Sequence, residues 1–134
     1  MLTTPTDIRL LRHGTRFLLG TILILGLFAT SAGADPGRAA LERQILGLLR
    51  SGDTEAALPL CRDYTEQYPG DALMQYNLAC LENGAGHEDR AAAAFERAIA
   101  AGFEDFDHAL NDPDLAGVDA VPGLIEAETA RLAD

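Results

Sequence analysis

The residues of this chain that could do chemistry are few, and they do not converge on one reaction. His108 lies among acids, with Glu104, Asp105 and Asp107 before it and Asp112, Asp114 and Asp119 after it. Such a cluster can hold calcium or set a base beside carboxylates. It lacks the alternating acids, turn glycine and closing glutamate that build an EF-hand loop. The plainer role for these acids is at helix N-termini, where carboxylates meet unsatisfied N–H groups and the positive end of the dipole. His87 stands in a turn a unit away, so a two-histidine metal site would need the chain to fold back on itself. Beyond the N-terminal segment the one serine, Ser51, has no histidine near it in sequence. No glycine-rich phosphate loop, zinc motif or cofactor fingerprint occurs. The expectation is a protein that is not an enzyme and that holds no metal or cofactor.

Cys61 and Cys80 are the only cysteines, 19 residues apart and outside the C-x-x-C spacing of a redox pair. Two readings stay open for them. One is a disulfide stapling two neighbouring helices in an oxidising compartment; the other is two small residues packed in a helical core.

The compartment follows from residues 1–34. Arg9, Arg12 and Arg16 face a single acid, Asp7, and an uncharged stretch runs from Phe17 to Ala34, ending in Ala32-Gly33-Ala34. A basic flank, an apolar run and small residues at the cleavage positions make a signal peptide. The same stretch is about the shortest that spans a bilayer, so it also reads as an uncleaved anchor. Either way residues 35–134 are expected on the far side of the membrane, because the positive flank stays in the cytoplasm. The chain has no lysine and is rich in alanine, glycine and arginine, which suggests a GC-rich bacterial genome and hence the periplasm. Without the leader, 7 arginines stand against 20 acids, a formal charge of −13. A surface so acidic repels nucleic acid and anionic lipid. That excludes a nucleic-acid role, and leaves the N-terminal segment as the only contact with a membrane.

The elements that must position these residues repeat. Gly52 and Gly86 are 34 apart, as are Ala57 and Ala91, and Cys61 and Phe95. A fixed period of this length is the mark of stacked supersecondary units. In the first unit, about 38–71, Leu41, Ile45, Leu48 and Leu49 share one helical stripe. Ser51-Gly52-Asp53 supplies a left-handed C-cap and the next N-cap. Ala56, Ala57, Leu60, Cys61 and Tyr64 form the stripe of a second helix that tolerates Pro59 near its start and stops at Tyr68-Pro69-Gly70. In the second unit, about 72–105, Leu73, Tyr76, Asn77, Leu78, Cys80 and Leu81 predict a helix ending at Asn83-Gly84-Ala85-Gly86. A partner helix runs from about Glu88 to Ala101, where Gly102 ends it. Beyond it, residues 106–134 read as a degenerate cap. Phe106, Ala109 and Leu110 suggest a short helix, Asp112-Pro113 an N-cap and first turn, and Val121-Pro122 a last helix turning Leu124, Ile125 and Leu132 to the core.

Tyr76-Asn77-Leu78-Ala79, followed by Gly86, Ala91, Phe95 and Ala98, resembles the tetratricopeptide repeat. The first unit keeps Gly52-Asp53, Ala57 and Pro69, and departs at Tyr64 and Gln44. Residues 98–103 and 111–115 look like the closing unit of many bacterial members of that family, so the resemblance covers roughly 38–116. It implies an all-α, short right-handed α-solenoid of antiparallel helix hairpins: about two units plus capping helices. In that family the first helices of successive units line a concave groove that takes peptides. Carried over by position, the groove residues are Arg43, Leu46 and Arg50 from the first unit, then Leu73, Tyr76, Asn77 and Cys80, with Asn83 near the rim. Arg43 and Arg50 beside the Asn77 amide would suit a carboxylate or an acidic peptide segment. The function so implied is an adaptor that binds a protein or peptide partner and takes no small-molecule substrate. The alternative is a structural subunit that completes its fold with another chain or copy, since two and a half hairpins make a small core.

Overall fold

The structure, a computed structural model, describes residues 35–134; the expected leader or anchor, residues 1–34, lies outside the described residues. Helix α1 (Pro36–Ser51) opens on Asp35, whose carboxylate accepts from Gly37 N at 2.9 Å. It closes on Gly52 at φ +76°, with Asp53 N donating to Leu48 O at 3.0 Å. Any side chain would be strained at that left-handed φ, and glycine is not. Asp53 then caps α2 (Thr54–Gln67) by accepting from Ala56 N. Two residues thus end one helix and start the next. Helix α2 runs through Pro59, which removes one intrahelical donor, the one that would meet the carbonyl of Glu55 in the first turn.

Asp71 caps α3 (Ala72–Gly84), and after the Gly86 turn α4 spans Glu88–Ala100. Two short pieces follow: α5 (Phe106–Asn111) and a 3₁₀ turn (Pro113–Leu115) capped by Asp112 through Asp114 N. Helix α6 (Ala120–Ala133) ends the chain. Among the described residues every element is helical, which makes this part of the chain all-α.

Packing follows chain order. Helix α1 lies on α2, α2 on α3 and α3 on α4; the 3₁₀ turn sits on α3, and α6 on α4 and α5. The tightest pairing is α3 with α4, and its sequence explains why. Ala91, Ala94 and Ala98 are fully buried and let the backbones approach, while Phe95 fills the remaining space. Tyr76 stacks on Phe103 with centroids 4.5 Å apart and rings 7° from parallel, and Phe95 meets both rings edge-on. Such aromatic pairs add to the burial of their area.

Leu132, expected in the core, is not there, and Leu110 of the short helix is exposed as well. Leu110 is 51% exposed and Leu132 59%, because α5 is only six residues long and the last turn of α6 runs past the elements beneath it. Leu124 is half-buried and Ile125 buried, as the stripe in α6 requires. Cys61 and Cys80 are not joined. Cys61 is fully buried with Sγ 3.6 Å from Met74 O. Cys80 lies six residues beyond Met74 on α3, a rotation of about 240° at 100° per residue, and so faces away. Its sulfur instead points at Asp112, 3.9 Å away.

Candidate functional site

The face of α3 that carries Tyr76, Asn77 and Cys80 lines a cleft of about 460 Å³. Leu49 and Thr54, from either side of the α1–α2 turn, form one wall, and His108, Asp112 and Asp114 form the other. Asn77 is half-buried there, and its one hydrogen bond among the described residues is a long contact from Nδ2 to the Met74 sulfur, 3.6 Å. An amide carries two donors and a carbonyl with two lone pairs, so most of its capacity faces the cleft.

The other expected groove residues divide. Tyr76 is 5% exposed, and its hydroxyl donates to Asp112. Asn83 donates through Nδ2 to Asp114 O at 2.9 Å and Ala116 O at 3.1 Å. Both were expected to face a partner; both are engaged by the chain's own closing segment. The reason is geometric: positions 76, 80 and 83 share one face of α3, and residues 112–116 lie along it. Arg43 and Arg50 are exposed, Leu46 is half-buried, and Leu73 is 57% exposed. None of these four lines the cleft. Arg50 Nε folds back onto Leu46 O at 3.1 Å, which accounts for one of its donors without a partner.

Burial first, then the Asp112 carboxylate, pushes the Cys80 thiol up to about 12, so it is protonated at neutral pH and neither a nucleophile nor a ready metal ligand. His108 Nε2 stands 3.5 Å from the same Asp112 oxygen, with its side chain 58% exposed. Among the described residues no group of three His, Cys, Asp or Glu side chains is placed to hold a metal. Cys61 is likewise pushed up to about 12 by burial. Tyr76 and Cys80 of α3 and His108 of α5 thus converge on the Asp112 carboxylate, and the Tyr76 bond ties the closing segment to α3.

A second concavity, of about 490 Å³, lies between α2, α3 and α4. Its floor is Gln75, Leu78 and Glu82 of α3, and its walls carry Arg62, Arg90 and Arg97. Glu82, 3% exposed, accepts from Nε and one terminal nitrogen of Arg62, each at 2.7 Å, and lies 2.9 Å from His87 Nδ1. Arg62, then His87, hold its carboxyl below the ordinary range although burial opposes them. Gln75, 1% exposed, donates to Pro69 O and accepts from Arg97 Nε at 3.2 Å. Nothing in the spacing of the sequence singled out these pairs.

Compared with known proteins, the chain matches no family model, no curated protein and no solved structure. Among the described residues no helix is long and apolar enough to cross a membrane.

Proposed function

We propose that this protein is an exported adaptor of tetratricopeptide type, a short right-handed α-solenoid that binds a protein or peptide segment on its first-helix face and catalyses nothing. The observation that carries the reading is Asn77: a half-buried amide in an open cleft, with a sulfur contact as its only described bond. A polar side chain held this way can read a peptide backbone without first giving up a strong internal bond. Leu73 stands one turn before it on the same face, more than half exposed, and offers an apolar contact beside the amide. The 34-residue period, the left-handed Gly52 and Gly86, and the alanine-lined α3–α4 contact support the repeat assignment. Export rests on the basic flank, apolar run and Ala32-Gly33-Ala34 of the N-terminal segment.

The test is capture from a native envelope fraction, with the complete chain tagged at its C-terminus. The expected result is one dominant partner, lost with Asn77→Ala and weakened with Leu73→Asp, while helicity is unchanged. Capture indifferent to both substitutions refutes the proposed face. A second reading, a subunit that completes itself against another copy, is favoured by α1: it has a single buried side chain and three leucines left half-buried toward its C-terminal half. Sedimentation of the purified protein decides it, since that reading requires a dimer or larger at micromolar concentration.

A further inference from the structure

The groove between α2, α3 and α4 has no part in the binding face proposed above, and its composition differs from the rest of the surface. Residues 35–134 hold 7 arginines against 20 acids, yet three of the seven, Arg62, Arg90 and Arg97, line this one groove. The acids in it are Glu82 and Glu66. Glu82 is consumed by Arg62 and His87, which leaves Arg90 and Arg97 against the exposed Glu66. Arg90 and Arg97 are seven residues apart on α4, so they share a face about 10 Å apart along the axis, with Ala93 and Ala94 between them. Neither has an acid three or four residues away on its own helix, the usual partner for an exposed cation.

Two of the three guanidiniums are also held in place from below. Gln75 and Glu82 are almost wholly inaccessible, and a buried polar or charged side chain is costly unless fully bonded. One anchors Arg97 through Nε and leaves its terminal nitrogens free; the other anchors Arg62 as a bidentate pair. Fixing an arginine fork beforehand removes part of the ordering cost that a ligand would otherwise meet. Between the arginines the floor is apolar, Leu78 and Ala93.

We propose that this groove docks an acidic, extended peptide segment of a partner protein, with two carboxylates three residues apart. In a polyproline-II conformation residues i and i+3 lie on one side about 9 Å apart, close to the spacing of Arg90 and Arg97. The backbone between them would pass over Leu78 and Ala93. Each carboxylate takes a charge-assisted fork, the geometry in which arginine surpasses lysine.

The test uses protein purified from cells expressing the complete chain and a fluorescein-labelled probe peptide, Gly-Glu-Pro-Leu-Glu-Pro-Gly, read by anisotropy. The control peptide has Gln in place of both Glu. The acidic probe is expected to bind and the control not to. Arg90→Ala and Arg97→Ala should each weaken binding about tenfold, as the loss of one charge-assisted bond implies. Ala93→Glu, which places an acid three residues from Arg90 and four from Arg97 and so pairs with both, should abolish it. Asn77→Ala, on the other face, should leave it unchanged. Equal binding of both peptides, or indifference to the α4 substitutions with helicity intact, overturns the proposal. So does binding to phosphatidylglycerol vesicles with none to the peptide.

Discussion

Helices α1 and α3 each open a helical pair, and they differ in how far the fold encloses them. The 13-residue α3 has seven buried side chains; the 16-residue α1 has one, Ile45. Composition does not account for this, because α1 carries four leucines and an isoleucine. Neighbours do. Helix α3 is enclosed by α2, α4 and the 3₁₀ turn, while α1 packs chiefly on α2. A helix is held by the elements packed on it, so α3, with neighbours on several sides, is locked, while α1 is half-solvated. Polar residues follow the same division. Gln75 and Glu82 are affordable in α3 only because α2 and α4 bring arginines to them.

The contrast is broken most directly at Phe95, which faces α3 and is fully buried. Phe95→Ala should cost about 3–5 kcal/mol in urea unfolding. Ile45→Ala, equally buried but under α1, should fall near the low end for its class, about 2 kcal/mol, because a half-solvated helix can shift to close the gap. Equal losses at the two sites would show α1 to be as constrained as α3.

Arg62→Ala comes next. It leaves the Glu82 carboxylate buried with only His87, and about 2 kcal/mol should be lost, less than for a fully enclosed pair because Arg62 is a third exposed. The pH dependence gives the sign. Arg62 and His87 depress the folded-state pKa of Glu82 below its ordinary 4.5. Its contribution is therefore present above pH 4.5 and lost as pH falls through the lowered folded value. Glu82→Gln should lower stability at neutral pH and flatten the acid limb of the stability curve, as measured by urea titrations at several pH values. An unchanged acid limb would assign acid lability to other carboxylates, with Asp71 the first to try: Tyr64, Met74 N and Arg38 outweigh its burial and lower it too.

A smaller effect separates the closing segment from both helices. Tyr76→Phe removes the bond to Asp112 at a cost of about 1 kcal/mol. Amide exchange should quicken in residues 106–116 and not in α1. Smallest of all, Arg43→Ala and Arg50→Ala should each change stability by no more than about 0.5 kcal/mol, since both are exposed and neither has an acidic partner among the described residues.

What could be read in advance was local. Gly52 with Asp53, Gly86, Gly102 and Asp112 with Pro113 fix turns and caps through the backbone preferences of single residues, and all adopt the expected roles. The burial of Ala91 and Phe95 followed from a period carried over 34 positions, and that of Ala98 only from the resemblance to a repeat family. What could not be read was which distant side chains meet. Arg38 donates to Tyr64 at 2.9 Å and Asp71 at 2.8 Å, tying α1 to α2 and to the start of α3. In one dimension Arg38 is another basic residue on a solvated helix. The same holds for Arg62 with Glu82, 20 residues apart. Tyr76 and Asn83 had the right spacing for a groove, but spacing does not say that the chain's own residues 112–116 lie on that face. Leu132 fits an apolar stripe yet is exposed, because a stripe does not say what covers it.

The central claim is that the exposed face of α3, from Leu73 to the Asn77 cleft, meets another protein. A photo-crosslinking amino acid introduced at Leu73 and, as a control, at Glu126 on the exposed side of α6 tests it in intact cells. The account predicts one discrete adduct from position 73, diminished by Asn77→Ala, and none from position 126. No adduct from position 73, or the same adducts from both positions, would contradict it.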